Sequence, residues 1–175
     1  MAGFAPDVAI RPEVDSDADA IGALTSRAFA PVPHADGSEA EIIARLRRAE
    51  DLHLSLVADA GTGPVGHVAF SPAICDADGW FALGPVSVDP PRQRQGIGSA
   101  LIRSGLDRLR AEKAAGCILL GSPDYYARFG FRPAPAHCQE GLPDAYFMAL
   151  PLGGPMPSGR FRFHPAFFGP VPEVD

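Results

Sequence analysis

The sequence predicts a mixed α/β fold built on one layer of sheet. Three observations predict it. Along 175 residues the hydrophobic period switches between that of a helix and that of a strand, in the order β-α-α-β-β-β-α-β-α-β-β. No linker divides the chain, and its 46% hydrophobic residues suffice for a single core. One strand is interrupted by Gly84-Pro85. Proline cannot donate to a sheet ladder, so that pair predicts a bulge in a central strand.

The elements follow in chain order. Asp7 to Glu13 reads as a short first strand. Asp15 to Ala30 turns helical, with Ile21, Leu24, Ala28 and Phe29 on one stripe, and Pro31 to Gly37 breaks that helix. Ser38 opens the next one, with Glu41 three residues on as in a capping box. Ile42, Ile43 and Leu46 continue it on one face. The period then changes. His53 to Ala60 and Val65 to Ala73 are strand-like around a Gly-Thr-Gly-Pro turn, which makes a hairpin. Trp80 to Asp89 is the bulged strand.

A helix then runs to about Ala115, striped by Leu101, Ile102, Gly105, Leu106 and Leu109. Cys117 to Gly121 is apolar throughout, as in a strand covered on both faces. Ser122 to Gly130 is a short helix with proline early and glycine at its end. Phe131 to Ala136 and Ala145 to Leu152 form a final strand pair. From Pro151 the chain is rich in proline and glycine, yet Gly159 to Phe168 alternates. That alternation predicts an added edge strand, with Phe161 and Phe163 on one face and Arg160 and Arg162 on the other. Residues 1–150 therefore read as the main domain, and residues 151–175 as an extension packed on it.

Charge and cysteines narrow the function. The net charge of −6 argues against nonspecific nucleic-acid binding. Cys75, Cys117 and Cys138 are an odd set without CxxC spacing, so neither a disulfide framework nor a zinc site is expected, and the setting reads as reducing and cytoplasmic. No apolar run reaches the ~18 residues of a membrane span, and no signal-peptide layout opens the chain.

The decisive stretch runs from Asp89 to Ile102, DPPRQRQGIGSALI. Two glycines stand where a helix must start, although glycine costs about 1 kcal/mol against alanine inside a helix. A helix N-terminus exposes unpaired N–H groups and the positive end of its dipole, and glycine lets a phosphate reach them. The stretch therefore reads as a pyrophosphate cradle formed by Gln93, Arg94, Gln95, Gly96, Ile97, Gly98 and Ser99, with Arg92 and Arg94 available for charge-assisted contacts. A P-loop needs Gly-Lys-Ser/Thr, and a dinucleotide fold GxGxxG. Neither fits.

The pattern Gln/Arg-x-x-Gly-x-Gly after the strand Val86-Ser87-Val88 resembles the acetyl-CoA site of the GCN5-related N-acetyltransferase (GNAT) superfamily. Tyr125 to Phe131, YYARFGF, resembles the YxxxGF element of the same superfamily. The LGPVSVDP, LLGSPDYYARFGFRP and late FxFHPAF stretches look like its YhbS-type branch. The resemblance spans about residues 8 to 168. It implies a single-domain GNAT-like fold: α+β, with a mixed, mostly antiparallel, twisted sheet flanked by helices.

It further implies direct acetyl transfer from acetyl-CoA, as the acetyl donor, to a primary amine. The acceptor would be a small molecule or a peptide, and the protein a monomer or homodimer binding neither nucleic acid nor membrane. Val86, Ser87 and Val88 would bond the pantetheine arm with their backbone, Gln93 to Ser99 the pyrophosphate, and Tyr126 would protonate the leaving thiolate. Tyr125, about 100° around the helix, would face elsewhere.

The base is not legible: His67, Asp76 and Asp78 are the candidates. In this superfamily the acceptor sits over the first two helices and their loop, here carrying His34 and Asp36. Phe161, Phe163, Phe167 and Phe168 are expected to pack rather than to bind. The competing reading is a non-catalytic acyl-CoA-binding sensor, for which an acid at Tyr126 would have no use.

Overall fold

The computed structural model describes residues 7–169. Its centre is a seven-stranded sheet in the order β1-β2-β3-β4-β5-β7-β6. Strands β1 (Ala9–Pro12), β2 (Leu54–Asp59), β3 (Pro64–Pro72) and β4 (Trp80–Val88) run antiparallel in succession. β5 (Gly116–Leu120) lies parallel to β4, and β7 (Phe147–Pro151) antiparallel to both β5 and the two-residue β6 (Arg132–Pro133). The sheet is thus mixed and mostly antiparallel, as expected.

Strand alternation divides the core. Leu56, Ala58, Val68 and Phe70 turn to one face and pack with Leu101, Ile102, Leu106 and Leu109 of α3 (Ile97–Ala111). Val57 and Ala69 turn to the other and meet Ile21 of α1 (Ala18–Phe29) and Ile43 of α2 (Glu39–Arg48). A strand buried on both faces needs apolar residues throughout, which the middle of β3 supplies. Glycine at 105 is required by close approach: a Cβ there would overlap the Phe70 ring.

The bulge forms where Gly84-Pro85 predicts it. Val68 pairs with Val86 and Phe70 with Leu83, so Ala69 alone faces both Gly84 and Pro85. Just before it, β4 parts from β5. Their parallel pairing runs from Trp80–Gly116 to Ala82–Ile118 and stops, while Leu119 and Leu120 continue to pair with β7. A wedge-shaped gap opens between the two strands.

Four local expectations are corrected. Ser38 caps α2 without a side-chain bond, because its N–H and hydroxyl both donate to Asp36; no capping box forms. α3 stops at Ala111, ahead of Lys113 at φ 60, a left-handed turn that a helix cannot pass. The strand expected over Phe131 to Ala136 shrinks to Arg132–Pro133, since Pro133 and Pro135 remove ladder donors.

The fourth correction concerns the tail, whose described residues add no edge strand. Its ladder is one isolated bridge, Ile74–Arg162. The predicted alternation survives as packing: Phe161 and Phe163 are buried and Arg160 and Arg162 exposed. Phe161 sits 4.9 Å from the Trp80 ring, so the tail extends the core instead of the sheet.

Candidate active site

The gap between β4 and β5 exposes main chain. Asp89 N–H donates to the Val65 carbonyl at 2.8 Å, and the register pairs Ser87 with His67. In an antiparallel ladder bonded and non-bonded pairs alternate. Val86 and Val88 therefore turn their N–H and C=O away from β3, toward the gap. The Val88 carbonyl on that side accepts from Gln93 Nε2 at 3.1 Å. Ser87 differs from its two neighbours. Its main chain belongs to the β3 ladder, and its buried hydroxyl lies 3.3 Å from Thr25 Oγ1. Of the three residues expected to hold a pantetheine arm, only Val86 and Val88 present backbone to the gap.

The glycine stretch follows directly. Pro90–Arg92 forms a single 3₁₀ turn, Arg94 adopts φ 63, and Gly96 caps α3 at φ 83, a left-handed conformation that glycine adopts freely. Ala100 N–H closes the first turn on the Gly96 carbonyl at 3.0 Å. The amides of Ile97, Gly98 and Ser99 precede it and point out of the helix end, with no side-chain cap. Ile97 presents only its amide at this helix end, since its side chain is buried.

Arg92 is held by Asp7 at 2.9 Å, and Gln95 by Arg92 and the Pro91 carbonyl. Arg94 is exposed, with no ion-pair partner among the described residues. Gly98 tests whether a phosphate fits here. A Cβ on Gly98 would meet only Tyr125 Oη at 3.5 Å and Val88 Cγ2 at 3.6 Å, both ordinary contacts. The chain's own packing therefore does not require glycine at 98.

Beside this helix start lies a groove of about 730 Å³ bordered by Gly96, Ser99, Arg103, Arg108 and Arg128. Arg103 stacks 4.9 Å above the Phe129 ring and Arg128 4.5 Å above Tyr125. Sequence reasoning missed both arginines. Arg103 could have been found, four residues beyond Ser99 and so on the same side of α3. Arg128 enters by tertiary contact alone.

A second cavity, of about 670 Å³, fills the gap itself. Gly84, Pro85 and Val86 line one side, Leu120 and Tyr126 another. Tyr126 comes from α4 (Pro123–Tyr126), which starts at Ser122 just beyond the end of β5. Burial, then the neighbouring Tyr125, pushes the Tyr126 phenol up to about 12. The two tyrosine rings meet edge to face at 4.9 Å and diverge as expected. Tyr126 lines the gap cavity, while the Tyr125 hydroxyl turns to Gly98 and the cradle.

None of the three expected bases reaches this cavity. His67 is fully buried beneath α1 and α2, with Nε2 2.7 Å from Ser55 Oγ, and Ser55 in turn donates to Glu13. Burial pushes the His67 imidazole down to about 4. Asp76 and Asp78 precede Trp80, at the end of β4 remote from Val86; six strand residues separate them, about 20 Å. Asp76 accepts from Ser158 there.

The loop between α1 and α2, where the acceptor is expected, does reach the cavity. His34, Asp36, Ser38 and Glu39 form its polar rim, and the tail's Phe163, Phe167 and Phe168 its outer wall. Phe161 packs as expected; Phe163 and Phe167 pack with it in one cluster and, with Phe168, also line the cavity. No group of metal-ligating side chains occurs among the described residues, and no helix there is long and apolar enough to cross a membrane.

Comparison with known proteins agrees with this geometry. The family model described as "Acetyltransferase (GNAT) domain" matches residues 51–133. The Uncharacterized N-acetyltransferase YhbS of Escherichia coli K12 is 37% identical over 131 residues, 73% of this chain and 75% of that protein. A GNAT family acetyltransferase from Brucella melitensis, solved in complex with acetyl-CoA, superposes with TM-score 0.82 at 45% identity, covering 91% of this chain and 97% of the other. YhbS from Escherichia coli in complex with CoA superposes with TM-score 0.83 at 32% identity, covering 93% and 94%. The chain therefore belongs to the GNAT family of N-acetyltransferases.

Proposed function

We propose that this protein transfers the acetyl group of acetyl-CoA to a primary amine in the gap between β4 and β5, with Tyr126 as the acid. The observation that carries this reading is the gap itself. Val86, its backbone turned away from β3, lines the same cavity as Tyr126; Val88 turns its backbone the same way two residues on, and the open α3 amides begin a few residues further along. Acetyl-CoA, when bound, supplies a thioester whose carbonyl carbon accepts the amine and whose sulfur departs.

The chain's residues divide the remaining work. The amides of Ile97, Gly98 and Ser99 receive the pyrophosphate, helped by the helix dipole and by Arg94. The main chain of Val86 and Val88 aligns the pantetheine arm. Val86 N–H donates toward the oxygen on which charge gathers. Tyr126 donates its proton toward the sulfur. A phenol pushed up to about 12 stays protonated across any working pH, and its hydrogen bond strengthens as the sulfur becomes anionic.

An amine with a pKa of about 10.4 must first lose its proton. The cavity opens at the rim carrying His34, Asp36 and Glu39, and that rim is where the proton leaves. The three unpaired cysteines fit a reducing cytoplasm. One copy supplies every group named here, which suits a monomer or a homodimer alike.

The test pairs two readouts on one protein: thermal stabilisation by acetyl-CoA, and thiol release from acetyl-CoA in the presence of a mixed set of amines. Stabilisation with amine-dependent thiol release supports transfer. Stabilisation without release across the set supports a sensor instead.

A further inference from the structure

The gap cavity has two unlike regions, and their chemistry restricts the acceptor. This inference rests on the transferase reading above. The outer wall is apolar and rich in rings: Phe29 from α1, Ile42 from α2, Leu142, and Phe163, Phe167 and Phe168 from the tail. The mouth is polar, and its two formal charges are both negative, Asp36 and Glu39. Among the described residues, no lysine or arginine lines the cavity. The Asp36 carboxyl is held below its usual range by hydrogen bonds from the Ser38 hydroxyl and N–H, so it carries its charge at neutral pH.

The aromatic wall is built in advance. Arg45 donates to the Ala166 carbonyl at 3.2 Å and His164 Nε2 lies 2.9 Å from Asp51, which ties the tail to α2 and the turn after it. Phe163 N–H donates to Gln139 Oε1 at 2.8 Å. Between these fixings Phe163 and Phe167 pack at 5.5 Å. Phe168, next in the chain, stays 55% exposed on the cavity rim.

We propose that the acceptor is a primary amine carried on a ring-bearing apolar body without a carboxylate, an arylalkylamine in chemical class. The body lies along the phenylalanine wall. The ammonium group enters past Asp36 and Glu39, whose charge favours it, and loses its proton there. A free amino acid or an acidic peptide would bring a carboxylate to the same two carboxylates with no basic side chain to receive it, a placement that like-charge repulsion disfavours.

Steady-state kinetics with three probe amines test this: 2-phenylethylamine, n-propylamine and phenylalanine. The expected order of kcat/KM places 2-phenylethylamine at least about ten-fold above n-propylamine, the scale of a filled apolar pocket, and further above phenylalanine. Phe168→Ala should shrink the preference for 2-phenylethylamine over n-propylamine several-fold, through KM. Asp36→Asn should shrink the preference for 2-phenylethylamine over phenylalanine. Equal or better turnover of phenylalanine, or a preference indifferent to both substitutions, overturns the inference while leaving the transferase reading intact. Absence of both acetyl-CoA stabilisation and turnover of any amine overturns both.

Discussion

Gly121 lies directly beneath the ring of Tyr126. A Cβ at that position would come within 2.8 Å of Tyr126 Cδ2 and closer still to Cε2, backed by Leu119 Cδ1 at 3.2 Å. The end of β5 thus sets where the phenol stands. Gly121→Ala should push the ring aside, with a stability cost of about 1–3 kcal/mol as in other overpacked sites and a fall in kcat of at least about ten-fold. In a Tyr126→Phe background the stability cost should persist, because the ring remains, while the kcat losses should not add. Melting curves and turnover of the four proteins check both halves.

Gly98 offers a cleaner probe of the cradle than Gly96. Gly96 holds φ 83, so valine there would strain the backbone whether or not a phosphate binds. At Gly98 an added Cβ meets only ordinary contacts at 3.5 and 3.6 Å. Gly98→Ala should therefore leave the melting temperature of the free protein within about a degree. It should markedly reduce the stabilisation given by acetyl-CoA, which for wild type at one hundred times Kd is about 2.7 kcal/mol. Equal stabilisation of the two proteins would place the phosphates elsewhere.

Most elements were legible because their hydrophobic period is local. So was the bulge, since Gly84-Pro85 acts through the chain's own covalent geometry, and so was the helix start at the two glycines. What failed was long-range. Alternation from Arg160 to Phe163 says which residues share a face, but not that Arg162 would find only Ile74 to pair with. His67 was legible as a strand residue. Nothing local indicates that its face lies beneath α1 and α2 rather than over the gap. The aromatic wall was hidden for the same reason: Phe167 meets α2 only after about 120 intervening residues have folded.

Phe161 should anchor the tail. It is fully buried against Trp80 and Phe147, at 4.9 and 5.8 Å between ring centres. Phe161→Ala should cost about 3–5 kcal/mol, and removal of residues 156–175 should lower both melting temperature and solubility. Unchanged denaturation midpoints would mean the tail is an appendage rather than part of the core.

His67 should give the protein an acid-side weakness. The imidazole titrates at about 4 in the fold against 6.5 in its ordinary state, because burial disfavours its charged form. Below pH 6.5 the unfolded chain binds a proton that the folded chain refuses, so stability declines as pH falls from about 6.5 toward 4. The slope approaches about 1.4 kcal/mol per pH unit. His67→Gln removes that titration. Urea midpoints at pH 7 and pH 5 should fall more for wild type than for the variant, whatever their absolute values. Parallel falls would mean other groups carry the dependence.

Tyr125 and Tyr126 are adjacent in sequence yet face different ways, one turned to Gly98 and the other lining the gap. Tyr125→Phe should weaken acetyl-CoA binding a few-fold with kcat nearly kept. Tyr126→Phe removes a hydroxyl that matters only once the sulfur takes charge. Turnover of Tyr126→Phe on an amine that wild type acetylates, measured with acetyl-CoA affinity on the same preparation, is the most direct test of the mechanism. The expected result is kcat lowered by roughly 10²-fold or more with affinity nearly unchanged; wild-type turnover by Tyr126→Phe would contradict its role as the acid.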